Sequence, residues 1–220
     1  MITSNWDYTV SRSNYHFTDH KDQEGDYFNV HGTVKEDYSS EIQKLNELAR
    51  PMNWANRKNT CGRQGETPKY LEAEENDLSR AGANPKMTLV NVVDDFDDLP
   101  VLKSIADSFG LEKAKYRVHI QRTGDVFNRH IDTLDQIFPE DSIDDIIRIG
   151  IMLTEWQPGH FYCYGNYTYE DWQAGEVHTF DWYNVPHCTA NAGYEPRITL
   201  QLTGIKTEVT KKRLDSLDKI

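Results

Sequence analysis

Residues Arg129-His130-Ile131-Asp132 set an imidazole and a carboxylate two positions apart. On an extended segment, side chains at i and i+2 leave the same face, so His130 and Asp132 can converge on one cation. A further histidine from elsewhere completes a 2-His-1-carboxylate face. That leaves the opposite side of an iron(II) ion open to an organic chelate and dioxygen. The pair alone is not diagnostic, because His20-Lys21-Asp22 in the polar N-terminal stretch has the same form. His187, in Asn184-Val185-Pro186-His187-Cys188-Thr189, is followed ten residues later by Arg197, inside Pro196-Arg197-Ile198-Thr199. A loop histidine before a strand that opens with arginine puts a ligand and a guanidinium on one pocket wall. The guanidinium can take a carboxylate in a fork geometry, and the Thr199 hydroxyl on the same strand face adds a hydrogen bond. A dicarboxylate whose other end chelates iron fits that space.

The elements that must position these residues are legible mainly in the second half. Thr88–Val93 reads as a strand, and Pro100–Phe109 as a short helix with Leu102, Ile105, Ala106 and Phe109 inward and Gly110 at its end. Short β-type runs follow at 116–121, 146–154, 160–164, 176–182 and 197–205, separated by Gly, Asn and Pro turns. Such spacing predicts an antiparallel sandwich or barrel. In the last run, Ile198, Leu200 and Leu202 alternate with Arg197, Thr199, Gln201 and Thr203, one apolar face and one polar. Before residue 88 the chain is polar. It offers one amphipathic helix within 36–51, carrying Ile42, Leu45, Leu48 and Ala49, with Ser40 and Gln43 spaced as a capping box and Pro51 as its stop. The stretch 56–85 reads as loop or lid.

The order H-x-D, then short strands, then His followed by R-x-[S/T], resembles the 2-oxoglutarate/iron(II)-dependent oxygenases. The resemblance covers roughly residues 115–206. It implies a mainly β fold with flanking helices, a double-stranded β-helix (jelly roll, cupin-like). It implies iron(II) on His130, Asp132 and His187, 2-oxoglutarate gripped at its distal carboxylate by Arg197, and a helping hydroxyl at Thr199. The run Arg148-Ile149-Gly150-Ile151 … Gly175-Glu176 … Phe180-Asp181 … His187 … Glu195-Pro196-Arg197 is similar to the aspartyl/asparaginyl β-hydroxylase branch. That likeness implies that Arg148 lies near the co-substrate, and that the substrate is a protein or peptide side chain or an amino-acid-like molecule. The branch typically lacks the metal carboxylate, which is present here as Asp132. Tyr116 and Arg117, on the strand before the H-x-D pair, are further candidates for assisting 2-oxoglutarate, Tyr116 foremost.

Composition narrows the class. The 220 residues suit a single domain: an N-terminal helical and loop extension over 1–87, an oxygenase core over 88–206, and a tail or helix over 207–220. The N-terminal loops would cover the pocket. A formal charge of −12 disfavours a nucleic-acid partner, since phosphate binding relies on clustered Lys and Arg. No run approaches the roughly 18 apolar residues of a membrane span. The N-terminus lacks the basic start and apolar stretch of a signal peptide. Cys61, Cys163 and Cys188 form no C-x-x-C pair, so reduced thiols in a cytoplasmic setting are expected.

The remaining candidates have plainer readings. His119, inside Val118-His119-Ile120, reads as a hydrogen-bonded structural histidine, and His160 as a possible substrate contact. The aromatic stretch with Trp156, Trp172, Trp182, Tyr162, Tyr164, Tyr167 and Tyr169 reads as sheet packing before it reads as a substrate cleft. The acidic run 94–98 reads most simply as a solvated approach to the helix that follows, whose N-terminus it could also favour electrostatically. Two rival functions remain at this point: a cupin-type metalloprotein without 2-oxoglutarate, which needs no carboxylate clamp, and a non-catalytic β-sandwich binding module.

Overall fold

The computed structural model describes residues 27–53, 87–130, 132, 134–165 and 167–218. The pair His20-Lys21-Asp22, Cys61 and the loop or lid at 56–85 lie outside them. Among the described residues, eleven strands form two antiparallel sheets. In chain order they are β1 (Phe28–Thr33), β2 (Arg50–Asn53), β3 (Thr88–Val93), β4 (Glu112–Gln121), β5 (Val126–His130) and β6 (Ile146–Met152). Then follow β7 (His160–Tyr164), β8 (Tyr167–Tyr169), β9 (Glu176–Phe180), β10 (His187–Asn191) and β11 (Arg197–Ile205). The helices are α1 (Ser39–Leu48), α2 (Pro100–Ser108), the single turn α3 (Leu134–Ile137) and α4 (Glu208–Asp215). The major sheet runs β1-β9-β6-β11-β4-β3-β2 and the minor sheet β5-β10-β7-β8.

The strand alternation sorts side chains between two compartments. Val118 and Ile120 on β4, Ile149 and Ile151 on β6, and Ile198, Leu200 and Leu202 on β11 pack with Leu45 of α1, Leu102 and Ile105 of α2 and Leu214 of α4. This apolar core lies on the helix-covered face of the major sheet. The other face turns toward the minor sheet, and part of that space holds an aromatic cluster of Tyr162, Tyr164, Tyr169, Trp172, Phe180 and Trp182. Most of the aromatic stretch is therefore packing, as its plainer reading expected, with Tyr167 exposed. Tyr162 alone of these also lines the pocket described below.

Several local expectations change. Strands β1 and β2, unforeseen in the polar N-terminal part, close the two edges of the major sheet. Pro51 lies in β2, an edge position where its missing N–H breaks no interior ladder. The capping box at Ser40 does not form: Tyr38 is the N-cap of α1 and makes no side-chain cap. The hydrogen bonds at the N-terminus of α2 come from Glu41, which the sequence did not single out. Glu41, buried in α1, accepts from Val101 N at 2.8 Å and Leu102 N at 2.9 Å. His187 is not on a loop but opens β10.

Candidate metal centre and anion pocket

The minor sheet brings the two histidines together. Strands β5 and β10 pair antiparallel with His130 directly opposite His187, and the ring centroids are 4.3 Å apart. Each ring is held from behind. His130 Nδ1 donates to Asn128 O at 2.8 Å, and His187 Nδ1 donates to Val185 O at 3.4 Å. These bonds use Nδ1 as the donor to a backbone carbonyl and turn each Nε2 toward Asp132, the orientation a metal-binding imidazole needs. Phe127 stacks on His130 at 4.5 Å, and Phe180 meets His187 edge-on at 4.8 Å.

Asp132 follows β5 and is 6% exposed. Its Oδ1 lies 3.7 Å from His130 Nε2 and its Oδ2 lies 3.8 Å from His187 Nε2. One ligand atom from each of the three lies within 4.8 Å of the others. Arg148 on β6 donates from Nη1 to Asp132 Oδ2 at 2.6 Å and from Nε to Thr203 Oγ1 at 3.3 Å. The guanidinium thereby fixes the carboxylate's orientation. Arg148 thus reaches the pocket, but through the carboxylate of the triad.

The facing wall is the polar side of β11 and β4. Arg197, Thr199 and Gln201 line the same pocket as the triad, with Arg117 and His119 beside them and Phe127, Leu134 and Ile137 among its apolar walls. Arg197 is 3% exposed. Its Nη1 donates to Thr199 Oγ1 at 3.3 Å, its Nη2 donates to Gln121 Oε1, and its guanidinium lies 4.6 Å from the Tyr162 ring centroid. Its buried Nε has no hydrogen-bond partner, and no carboxylate lies within ion-pairing distance among the described residues. Burial pulls its proton affinity below the usual arginine value, yet a guanidinium stays charged in proteins. A buried cation without a counter-charge is costly. Among the described residues, three arginines and one carboxylate line the pocket, in a chain of net charge −12; Arg117 also pairs with Asp94 at 3.5 Å and Arg148 with Asp132. The pocket is therefore locally cationic and suited to an anion.

Two sequence expectations are corrected here. Tyr116 does not face the pocket. It shares its side of β4 with Val118 and Ile120, packs against the helix-side core, and donates its hydroxyl to Asp107 Oδ1 at 2.9 Å. Strand parity gives the pocket to Arg117 and His119 instead. Nor is His119 a satisfied structural histidine: its Nε2 is buried without a partner, and the ring lines the pocket. Burial first, then Arg117, Arg148 and Arg197, hold its pKa well below the usual histidine value, so the ring is neutral. His119 sits opposite Thr199, and Gln121 opposite Arg197. Aligning β4 with the polar face of β11 is the signal that would have found both. His160 is structural, with Nε2 at 2.9 Å from Glu195 O and Nδ1 accepting from Gln157 N.

No protein-family model matches this sequence, and no curated protein matches it. Among solved structures, the chain is similar to SnoN, the non-heme alpha ketoglutarate dependent epimerase from nogalamycin biosynthesis. The TM-score is 0.54 at 13% identity, covering 87% of this chain and 83% of that one. A second SnoN structure, in complex with Fe3+, alpha ketoglutarate and nogalamycin RO, gives 0.53 at 12% identity, covering 87% and 86%. The fold is a double-stranded β-helix. At these identities the likeness concerns the fold. Among the described residues no helix is long and apolar enough to cross a membrane.

Proposed function

We propose that this protein is a 2-oxoglutarate- and iron(II)-dependent oxygenase. The observation that carries the reading is the buried Arg197, with no carboxylate partner among the described residues, in the same pocket as His130, Asp132 and His187. The donor set fits the metal: two imidazoles and one carboxylate suit iron(II) and leave coordination positions toward the pocket. Iron(II) bound there supplies dioxygen activation, coupling oxidative decarboxylation of 2-oxoglutarate to succinate and CO2 with oxidation of a substrate bond.

The chain's own residues have distinct tasks. His130 and His187 present Nε2 because Asn128 O and Val185 O hold the opposite nitrogens. Arg148 holds Asp132 in orientation. Arg197 grips the distal carboxylate of 2-oxoglutarate, steadied by Gln121 and Thr199, and its guanidinium gains a counter-charge that the described residues do not offer. Phe127, Leu134 and Ile137 keep water from the reacting atoms. A cupin-type metalloprotein would share the triad but has no use for an uncompensated guanidinium opposite it. The fold neighbour SnoN, crystallised with Fe3+ and alpha ketoglutarate, adds support. The likeness to the aspartyl/asparaginyl branch favours hydroxylation of a protein or peptide side chain, or of an amino-acid-like molecule.

The test is turnover. Protein loaded with iron(II) is given 2-oxoglutarate and dioxygen, and succinate is measured. Slow succinate formation even without the true substrate, abolished in Asp132→Ala, supports the reading. Succinate formation that survives Asp132→Ala would sink it.

A further inference from the structure

The parity that points His187 inward points its neighbour Cys188 outward, onto the outer face of the minor sheet. Strand β7 lies alongside β10, and the residue directly opposite Cys188 is Cys163. Both are free thiols and both are half-buried, within reach of small reagents. Residues directly opposite across antiparallel strands have Cα atoms about 4.5 or 5.5 Å apart. Both spacings fall inside the roughly 4.4–6.8 Å a disulfide spans. Cys163 Sγ is 3.4 Å from Gly165 O, in the turn that leads into β8, so its side chain leans along the sheet rather than into the core.

We propose that Cys163 and Cys188 form a reversible disulfide that staples β7 to β10 and shifts His187. With a peroxide as oxidant, one thiolate attacks the O–O bond. It becomes a sulfenic acid and releases one oxygen as water after protonation. The second thiol attacks that sulfur, the S–O bond breaks, and a second water leaves. Two electrons pass from the two sulfurs to the peroxide, and a dithiol reductant returns them. A disulfide draws the two Cβ atoms to about 3.8 Å, closer than the roughly 4.5–5.5 Å of unlinked opposite residues. Cys188 adjoins His187, so the same contraction reaches the ring that sits opposite His130. Bond formation stands on the thiol geometry alone. Its effect on metal affinity rests on the triad being an iron(II) site.

The experiment uses the full chain, reduced and then treated with hydrogen peroxide, and maps disulfides by peptide mass after thiol alkylation. The expected result is a loss of 2 mass units (two hydrogens per disulfide), a linked peptide pair containing residues 163 and 188, and full reversal by dithiothreitol. Cys163→Ser should abolish the linked pair. Because the wild-type map needs no variant, a poorly folded serine protein leaves the result intact. Three alkylatable thiols after peroxide, or a bond made through Cys61 or between chains, would overturn the proposal. Iron(II) titration of the two forms reads the second half, with at least about tenfold weaker binding expected in the oxidised form, the scale of a disturbed ligand shell. Equal affinity in both forms would overturn the coupling to His187. If the reduced form binds no iron(II), the oxygenase reading fails, while the peptide map still decides the disulfide.

Discussion

The space between the two sheets buries histidines at two places, and they have opposite surroundings. At the aromatic end, His178 is 1% exposed, receives the Tyr164 hydroxyl at Nε2 over 2.7 Å, and has Phe28, Tyr162 and Tyr169 around it. Its ring occupies the room left by Gly150, where a Cβ would stand 2.3 Å from His178 Cε1. At the pocket end, His130 and His187 are also largely buried, but backbone carbonyls hold their Nδ1 atoms and both Nε2 atoms turn toward Asp132. Burial and aromatic contact are common to both places. What separates a packing histidine from a ligand is the partner of each ring nitrogen and the charge nearby. The aromatic end keeps its imidazole neutral by burial and gives it a neutral hydroxyl as partner, while the pocket end places imidazoles beside a carboxylate that an arginine orients.

The sharpest way to break this contrast is to exchange the losses. Asp132→Ala should weaken iron(II) binding by more than the roughly 10–100-fold typical of disturbing a ligand's supporting partner. Arg148→Ala should fall within that range. His178→Ala should lower the thermal midpoint and leave iron(II) affinity unchanged, and calorimetric titration of the three variants checks all of this together. A clear loss of iron(II) affinity in His178→Ala would erase the distinction.

Arg197→Met should retain iron(II) and lose 2-oxoglutarate. Truncating one partner of a buried charge pair costs about 2–5 kcal/mol, hence at least about 30-fold in Kd. Equilibrium binding with iron(II) already loaded measures it.

The aromatic end also carries a pH signature. Burial pushes the His178 pKa down to about 3, against an ordinary value of 6.5. The unfolded chain therefore takes up the proton first on acidification. The stability that His178 contributes is complete above pH 6.5 and is lost progressively as the pH falls toward 3. Between pH 7 and 5 this single group should remove about 2 kcal/mol of unfolding free energy. Denaturant melts of wild type and His178→Gln at the two pH values measure the difference, which should shrink in the variant.

The smallest effect is expected at Tyr116→Phe. Loss of its half-exposed bond to Asp107 costs less than about 1 kcal/mol and leaves 2-oxoglutarate affinity untouched. A loss of co-substrate affinity there would contradict the assignment of the two faces of β4.

The parts of the molecule that were legible in the sequence share a physical property: they state their own environment. Strand β11 alternates apolar and polar side chains because one face packs on helices and the other lines a pocket, so its two roles are written at period two. The His130/Asp132 and His187/Arg197/Thr199 spacings are legible because one strand face supplies several groups to one centre. Strands β1, β2, β5, β8 and β10 are short and mostly polar, and their existence depends on partners far along the chain. His119 and Gln121 were missed for the same reason: each acquires meaning only opposite Thr199 and Arg197 in the neighbouring strand. Tyr116 differs from a pocket residue by a single step of strand parity, which sequence alone left open.

The central claim is that one pocket holds both iron(II) and the carboxylate of a keto acid. An anaerobic titration of the metal-free protein with iron(II) and then 2-oxoglutarate, read by visible absorption, tests it most directly. The account predicts a charge-transfer band that appears only when both are present, and that needs far more 2-oxoglutarate in Arg197→Met. Iron(II) binding with no band at any 2-oxoglutarate concentration would contradict it and leave a metal-binding jelly roll without that co-substrate.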